Sequence, residues 1–334
     1  MKSEIRTTMN GKPVFELPAR SVINFKSGFK EKLLCDGPTF STGTACAFSC
    51  SFCYVPAVYR KMLDGFLKET GKRHEDIVIR RANPINILEG QLRERGGKPK
   101  FLSPNDTRVI YSSPAVDVAA NIELVRETIE CCKSILSLTN WQIRLLSKSN
   151  LLPKIAQGLD GNCDRADARS KVIYGVSTGT LDNKLASAFE QGCPLVSKRI
   201  ESLHWLQDNG FRTYGMICPS LPQMDYAKFA REMADAIRWE QCEHVWAEII
   251  NVRGESMERT AHALRESGYE WQAEQLEYVA ADKYAWELYA RETFEAHANI
   301  YGDSGKLRFL QYVNINNMIY WGDRERIKKG AVCL

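Results

Sequence analysis

Three thiols within eight residues are the feature of this sequence most able to do chemistry. Cys46, Cys50 and Cys53 stand in "ACAFSCSFCYVP" as C-x3-C-x2-C. Thiolates at that spacing on one loop converge on a single metal centre, and two kinds of centre fit. A closed structural zinc site takes four protein ligands; Cys35 would complete the set only across an unusual ten-residue gap. An iron–sulfur cluster held by three thiolates instead leaves one iron for a non-protein ligand. A chance grouping of core cysteines is the third reading, disfavoured by three thiols so close together. The other eight of the eleven cysteines are scattered and read mostly as small buried hydrophobes or inert surface thiols. Cys131 and Cys132 are adjacent on a helical stretch and so point to different faces. Past Tyr54 no second group of cysteines appears, hence no auxiliary cluster.

Such a loop must be positioned by a scaffold, and the sequence supplies one by alternation. Short β-branched runs occur at 76–80 ("DIVIR"), 108–113, 141–147, 171–177, 211–218 and 245–252. Amphipathic stretches at 121–136, 195–210 and 225–240 lie between them; Gly210 marks the end of the second. Strand–helix alternation at this spacing predicts a parallel sheet with crossover helices. The expected fold is therefore α/β, a partial (βα)6 TIM-type barrel. An irregular N-terminal arm (1–37) precedes the barrel (38–254), and a mostly helical extension (255–334) packs on it. Chemistry in such barrels sits at the C-terminal strand ends. That rule selects Ser112, Ser113, Lys148, Ser177, Cys218, Glu248, Asn251 and Arg253. Alternation along the last strand aims Glu248 to one face and Asn251 to the other, and a buried Glu248 needs a partner, for which Arg253 or a substrate amine would serve.

Composition narrows the class. With 44% hydrophobic and 26% charged residues among 334, the chain can bury a large core without disulfide or metal staples. The N-terminal stretch lacks an apolar signal region, and no run approaches eighteen uncharged apolar residues. The reading is a cytoplasmic protein without membrane contact, where clustered thiols bind metal or do redox work. Net charge is +4, but residues 1–100 hold 18 Lys and Arg against 10 Asp and Glu. A basic first third would suit an anionic partner such as nucleic acid, or is simply a solvated basic face.

The cysteine pattern, with Phe52 before its last thiol, resembles that of the radical SAM superfamily. Residues 40–254 are similar to its spore photoproduct lyase-like branch, often labelled DNA repair photolyase. "VIYSSPAVDVAANIELVRETIECCKSIL", with Asp117 and Glu123 six apart, resembles that branch's third unit. "IRLLSKSNLL" carries a Lys-Ser pair at a strand end, and "VIYGVSTGTLDN" through "GMICPSLP" resembles the fifth and sixth units.

The resemblance implies a [4Fe–4S] cluster held by Cys46, Cys50 and Cys53. Its fourth iron would bind the amino and carboxylate groups of S-adenosylmethionine (SAM). One electron, from a flavodoxin- or ferredoxin-type donor, then yields a 5′-deoxyadenosyl radical that abstracts hydrogen from substrate. The cofactor does this chemistry while the protein positions it. Tyr54 would contact the adenine and Lys148 the SAM carboxylate. Ser113, Asp117, Ser177, Asn251 and Arg253 complete the cofactor set, with Cys218 and Glu248 as catalytic candidates. Spore photoproduct lyase keeps a hydrogen-donating cysteine near its third strand end. Here that stretch reads "IYSSPAVD", leaving Cys218 to substitute. Three functions follow: nucleic-acid repair or modification, radical chemistry on a small molecule or peptide, or a zinc-stabilised binding module without catalysis.

Overall fold

The structure, a computed structural model, describes residues 3–112, 114–162, 165–252 and 254–334. The chain opens with a hairpin of β1 (Ser3–Met9) and β2 (Lys12–Leu17). Asn10 and Gly11 both take positive φ, 50° and 76°, as a two-residue hairpin turn demands. The arm read as irregular is thus partly strand, because the Asn-Gly turn closes a ladder that alternation alone signals weakly. Next come β3 (Ile23–Asn24), β4 (Thr39–Phe40), β5 (Gly43–Ala45), β6 (Ser49–Cys50), β7 (Val78–Arg81) and β8 (Val109–Ser112). The rest are β9 (Gln142–Ser147), β10 (Val172–Thr178), β11 (Glu190–Gln191), β12 (Arg212–Ser220), β13 (Cys242–Ile249), β14 (Leu307–Gln311) and β15 (Ala331–Cys333).

One sheet of nine strands dominates, in the order β15-β14-β13-β12-β10-β9-β8-β4-β3. All pair in parallel except β3, antiparallel at the edge. With helices between strands this is a partial TIM-type barrel. The strand expected at 76–80 forms as β7, yet it leaves the barrel sheet: it pairs with β2 in parallel and β5 antiparallel. The hairpin offers it an edge, so β4 bonds directly to β8. The C-terminal region adds β14 and β15 to the barrel sheet besides its helices.

Period-two alternation divides the strands between two cores. Val245, Ala247 and Ile249 of β13 face the helices, as do Ile143 and Leu145 of β9. Tyr214 and Met216 of β12 and Trp246 of β13 face the interior. A parallel sheet covered on both sides reads as this near-continuous apolar pattern. Gly175 makes room there: a Cβ on it would lie 2.1 Å from the Tyr214 ring of its register partner.

The arm fills much of the interior. Leu34 and Cys35 are buried beside Tyr111, and the Phe29 ring sits 5.2 Å from Tyr111's. Arg144 Nη1 donates to the carbonyls of Leu33 and Leu34 at 3.2 and 2.7 Å. Trp246 Nε1 donates to the Lys32 carbonyl at 2.9 Å. Cys35 therefore belongs to the barrel interior, in a different cluster from the loop cysteines.

Candidate metal and cofactor site

The cysteine loop follows β5, which starts a short way beyond barrel strand β4. Its backbone is held from two sides. β6 pairs antiparallel with β11, setting Cys50 opposite Glu190. Ser51 N and Oγ donate to the Phe189 carbonyl at 2.9 and 3.1 Å. From the C-terminal helix Ser256–Glu266, Arg259 Nη2 donates to the Cys53 carbonyl at 2.9 Å, and Thr260 Oγ1 meets Ser51 Oγ at 3.0 Å. The loop is thus clamped by segments far from it in sequence.

Cys46 and Cys50 pack against one apolar cluster, and Cys53 N donates to the Cys50 carbonyl at 3.1 Å. Burial pushes the Cys46 and Cys53 thiols up to about 12. Backbone N–H groups of Phe48 and Asp117 point at Cys46 Sγ, at 3.5 and 3.4 Å. Among the described residues no three His, Cys, Asp or Glu side chains form a ready-made metal cage. The donor chemistry nevertheless fits an iron–sulfur cluster. Buried thiols ionise when a metal supplies the compensating charge, and amide donors aimed at sulfur are the bonds that tune such clusters.

The neighbouring strand ends carry the other expected residues. Asp117 is a clip: Oδ1 accepts from Ala119 N at 2.8 Å and Ser147 Oγ at 2.7 Å, and Oδ2 from Lys148 N at 2.7 Å. These bonds oppose the burial that raises its carboxyl above the usual range. Lys148 Nζ is paired with Glu190 at 2.6 Å and donates to the Cys218 carbonyl at 3.0 Å. Glu190 in turn binds Arg199 at 2.5 Å, with both side chains at most 1% exposed. Ser177 Oγ donates to the same Cys218 carbonyl at 3.3 Å. Tyr54 Oη donates to the Pro114 carbonyl at 2.5 Å.

Deeper in the barrel, Glu248 is 9% exposed and its Oε1 lies 2.7 Å from Lys32 Nζ, a residue of the arm. Its other oxygen is 3.9 Å from Cys218 Sγ, whose thiol burial pushes up to about 12. The partner anticipated for Glu248, Arg253, falls outside the described residues, as does Ser113. Asn251 lies past the end of β13, half-buried, its carbonyl accepting from Ser256 Oγ at 2.5 Å.

The fold therefore brings Cys46, Cys50, Cys53, Asp117, Lys148, Ser177, Cys218 and Glu248 to one end of the barrel. Five residues there escaped the sequence reading: Lys12, Lys32, Glu190, Cys193 and Arg199. Cys193 Sγ is 3.7 Å from Cys50 Sγ, although the two are 143 positions apart. No spacing rule reaches that far.

A parallel barrel whose cysteine loop stands at its C-terminal end invites comparison with known structures. A single-substitution mutant of spore photoproduct lyase superposes with a TM-score of 0.51 at 10% identity. It matches over 76% of this chain and 66% of its own. This chain has the fold of spore photoproduct lyase. The same enzyme complexed with dinucleoside spore photoproduct superposes at 0.50, with the same identity and coverage. The chain thus spans just under two thirds of the length of the lyase chains it matches. No family model matches the chain, and no curated protein matches it in sequence. No helix among the described residues is long and apolar enough to cross a membrane.

Proposed function

We propose that this chain is a radical SAM enzyme whose cluster is held by Cys46, Cys50 and Cys53. The observation carrying the proposal is this three-cysteine loop at the C-terminal end of a barrel with the spore photoproduct lyase fold. When bound, the cluster and SAM would supply a 5′-deoxyadenosyl radical that takes a hydrogen atom from substrate. The chain's own residues position and insulate. Asp117 fixes the exit of β9, and Glu190 fixes Lys148 beside the cluster loop for the SAM carboxylate. Tyr54, Ser177 and Asn251 would frame the remainder of the cofactor, and the roles expected of Ser113 and Arg253 fall outside the described residues. Cys218 and Glu248 face the reacting end, with Lys32 paired to Glu248. Catalysis is assigned to the barrel of residues 38–254, which the arm (1–37) and the extension (255–334) support.

For substrate we infer a nucleic acid, repaired or modified at a base. Support comes from the basic first hundred residues and from the dinucleoside lesion that the similar lyase binds. A small-molecule or peptide substrate is the second reading, favoured by the lack of a cysteine in "IYSSPAVD" and by the arm filling the barrel interior. The electron would come from a flavodoxin- or ferredoxin-type protein, and the ten free cysteines among the described residues suit a reducing cytoplasm.

Anaerobic reconstitution tests the function directly. Iron, sulfide and the reduced EPR spectrum are measured with and without SAM, followed by assay for 5′-deoxyadenosine. A cluster signal altered by SAM, with product formed and both lost in Cys50→Ala, is expected. A zinc-loaded chain without that product would refute the proposal and leave the thiols as a structural clip. Binding to single- and double-stranded nucleic acid should weaken linearly in log affinity against log salt, through counterion release; flat or absent binding points to the small-molecule reading.

A further inference from the structure

Cys193 is the thiol outside the motif that tertiary structure delivers to it. It follows Gly192, which leaves β11 with φ 79°, and β11 is paired to the cysteine strand β6. Cys193, Cys46 and Cys50 pack against one apolar cluster that includes Met9, Val14 and Phe48. Nothing in the barrel chemistry described above uses this fourth thiol.

Charged side chains surround it. Lys12 reaches in from the N-terminal hairpin; its Nζ is sealed from solvent with no hydrogen-bond partner among the described residues. It acts electrostatically on Cys46, Cys50 and Cys193. Lys148 and Arg199 likewise act on Cys50 and Cys193. Against these three cations stand the carboxylates of Glu190, paired to both Lys148 and Arg199, and of Asp117 and Asp76, which bear on Cys46 and on Lys12. A buried cation without a partner is costly unless a counter-charge arrives. Lys12 Nζ is such a group, and a further thiolate beside Cys50 would supply a counter-charge.

We propose that Cys193 is a fourth, exchangeable thiolate of this centre, covering the open iron until SAM binds. The proposal rests on the radical SAM reading above. The exchange balances: the iron–thiolate bond breaks as the SAM amino and carboxylate groups ligate in its place, no electron moves, and the proton that the SAM ammonium gives up passes to the released thiolate. Covering the iron in the resting state would keep it from oxidative loss, the ordinary hazard of an iron without a protein ligand.

The test compares the native chain with Cys193→Ala and Cys193→Ser, reconstituted anaerobically and matched for iron, sulfide and circular dichroism. Each is oxidised mildly with ferricyanide in the absence of SAM. Iron release and the EPR signal of the three-iron form are followed in time, and SAM binding is measured by equilibrium dialysis. Both variants should release iron several-fold faster than the native chain. They should also bind SAM more tightly, having no thiolate to displace. Equal release rates and equal affinities, on chains that all carry the cluster, would overturn the role of Cys193 and leave the enzyme assignment standing. Native protein that assembles no iron–sulfide chromophore would overturn both.

Discussion

Replacing Glu190 by Gln tests how the site's scaffold is held together. The Glu190 carboxylate is wholly buried and bridges Lys148 at 2.6 Å and Arg199 at 2.5 Å. Arg199 keeps its bonds to the Pro194 carbonyl at 2.8 Å and the Ser177 carbonyl at 3.3 Å, but it loses its counter-charge. Breaking a buried ion pair by removing one partner costs about 3–5 kcal/mol, because the other charge stays uncompensated. Unfolding entropy of about 2.1 cal/mol/K per residue gives about 0.7 kcal/mol/K for a chain of this length. A loss of about 4 kcal/mol therefore lowers Tm by about 6 °C. Urea unfolding of metal-free protein, with unchanged slope, measures the free energy. The double variant Glu190→Met with Arg199→Met leaves one cation, Lys148, without its partner where Glu190→Met leaves two, and should lose less than the sum of the two single losses. Additive losses in the double variant would refute the reasoning, as would a loss under 1 kcal/mol in Glu190→Gln.

Three further outcomes are expected. His297 is completely buried, both ring nitrogens lack partners among the described residues, and burial lowers its pKa to about 4. Because the folded pKa lies below the unfolded value of about 6.5, its contribution is intact above pH 6.5 and is lost as pH falls from there toward 4, by about 3 kcal/mol. His297→Phe should flatten that part of the stability–pH curve measured by urea unfolding; an unchanged curve would assign the acid lability elsewhere. Gly175→Ala drives a methyl into the Tyr214 ring and should cost about 1–3 kcal/mol, recovered by adding Tyr214→Leu; failure of that rescue would show that the overlap is not the cause. In reconstituted protein, Lys12→Met removes a cation beside the thiols and should lower the cluster's midpoint potential by about 50 mV or more in an EPR-monitored titration, whereas an unmoved potential would show that Lys12 does not sense the cluster.

Local pattern carries what the sequence determined by itself. Three thiols within eight residues mark a candidate metal loop without reference to the rest of the chain. Short β-branched runs locate β8, β9, β10, β12 and β13 within a few residues, since strands of a parallel sheet covered on both sides read as near-continuous apolar segments. Strand exits then select Lys148, Ser177, Cys218 and Glu248, because a parallel barrel puts its strand ends on one rim. Only tertiary structure decided the partners. Lys32 reaches Glu248 across 216 positions, and Cys193 reaches Cys50 across 143. No local pattern marks Lys12, Glu190 and Arg199, and burial against distant segments is what brings them beside the thiols. Even β7, legible as a strand, takes its place from the hairpin edge offered by β2 rather than from its own residues. Which edge a strand joins and which charge a buried group meets depend on packing between remote segments, and no local periodicity records that.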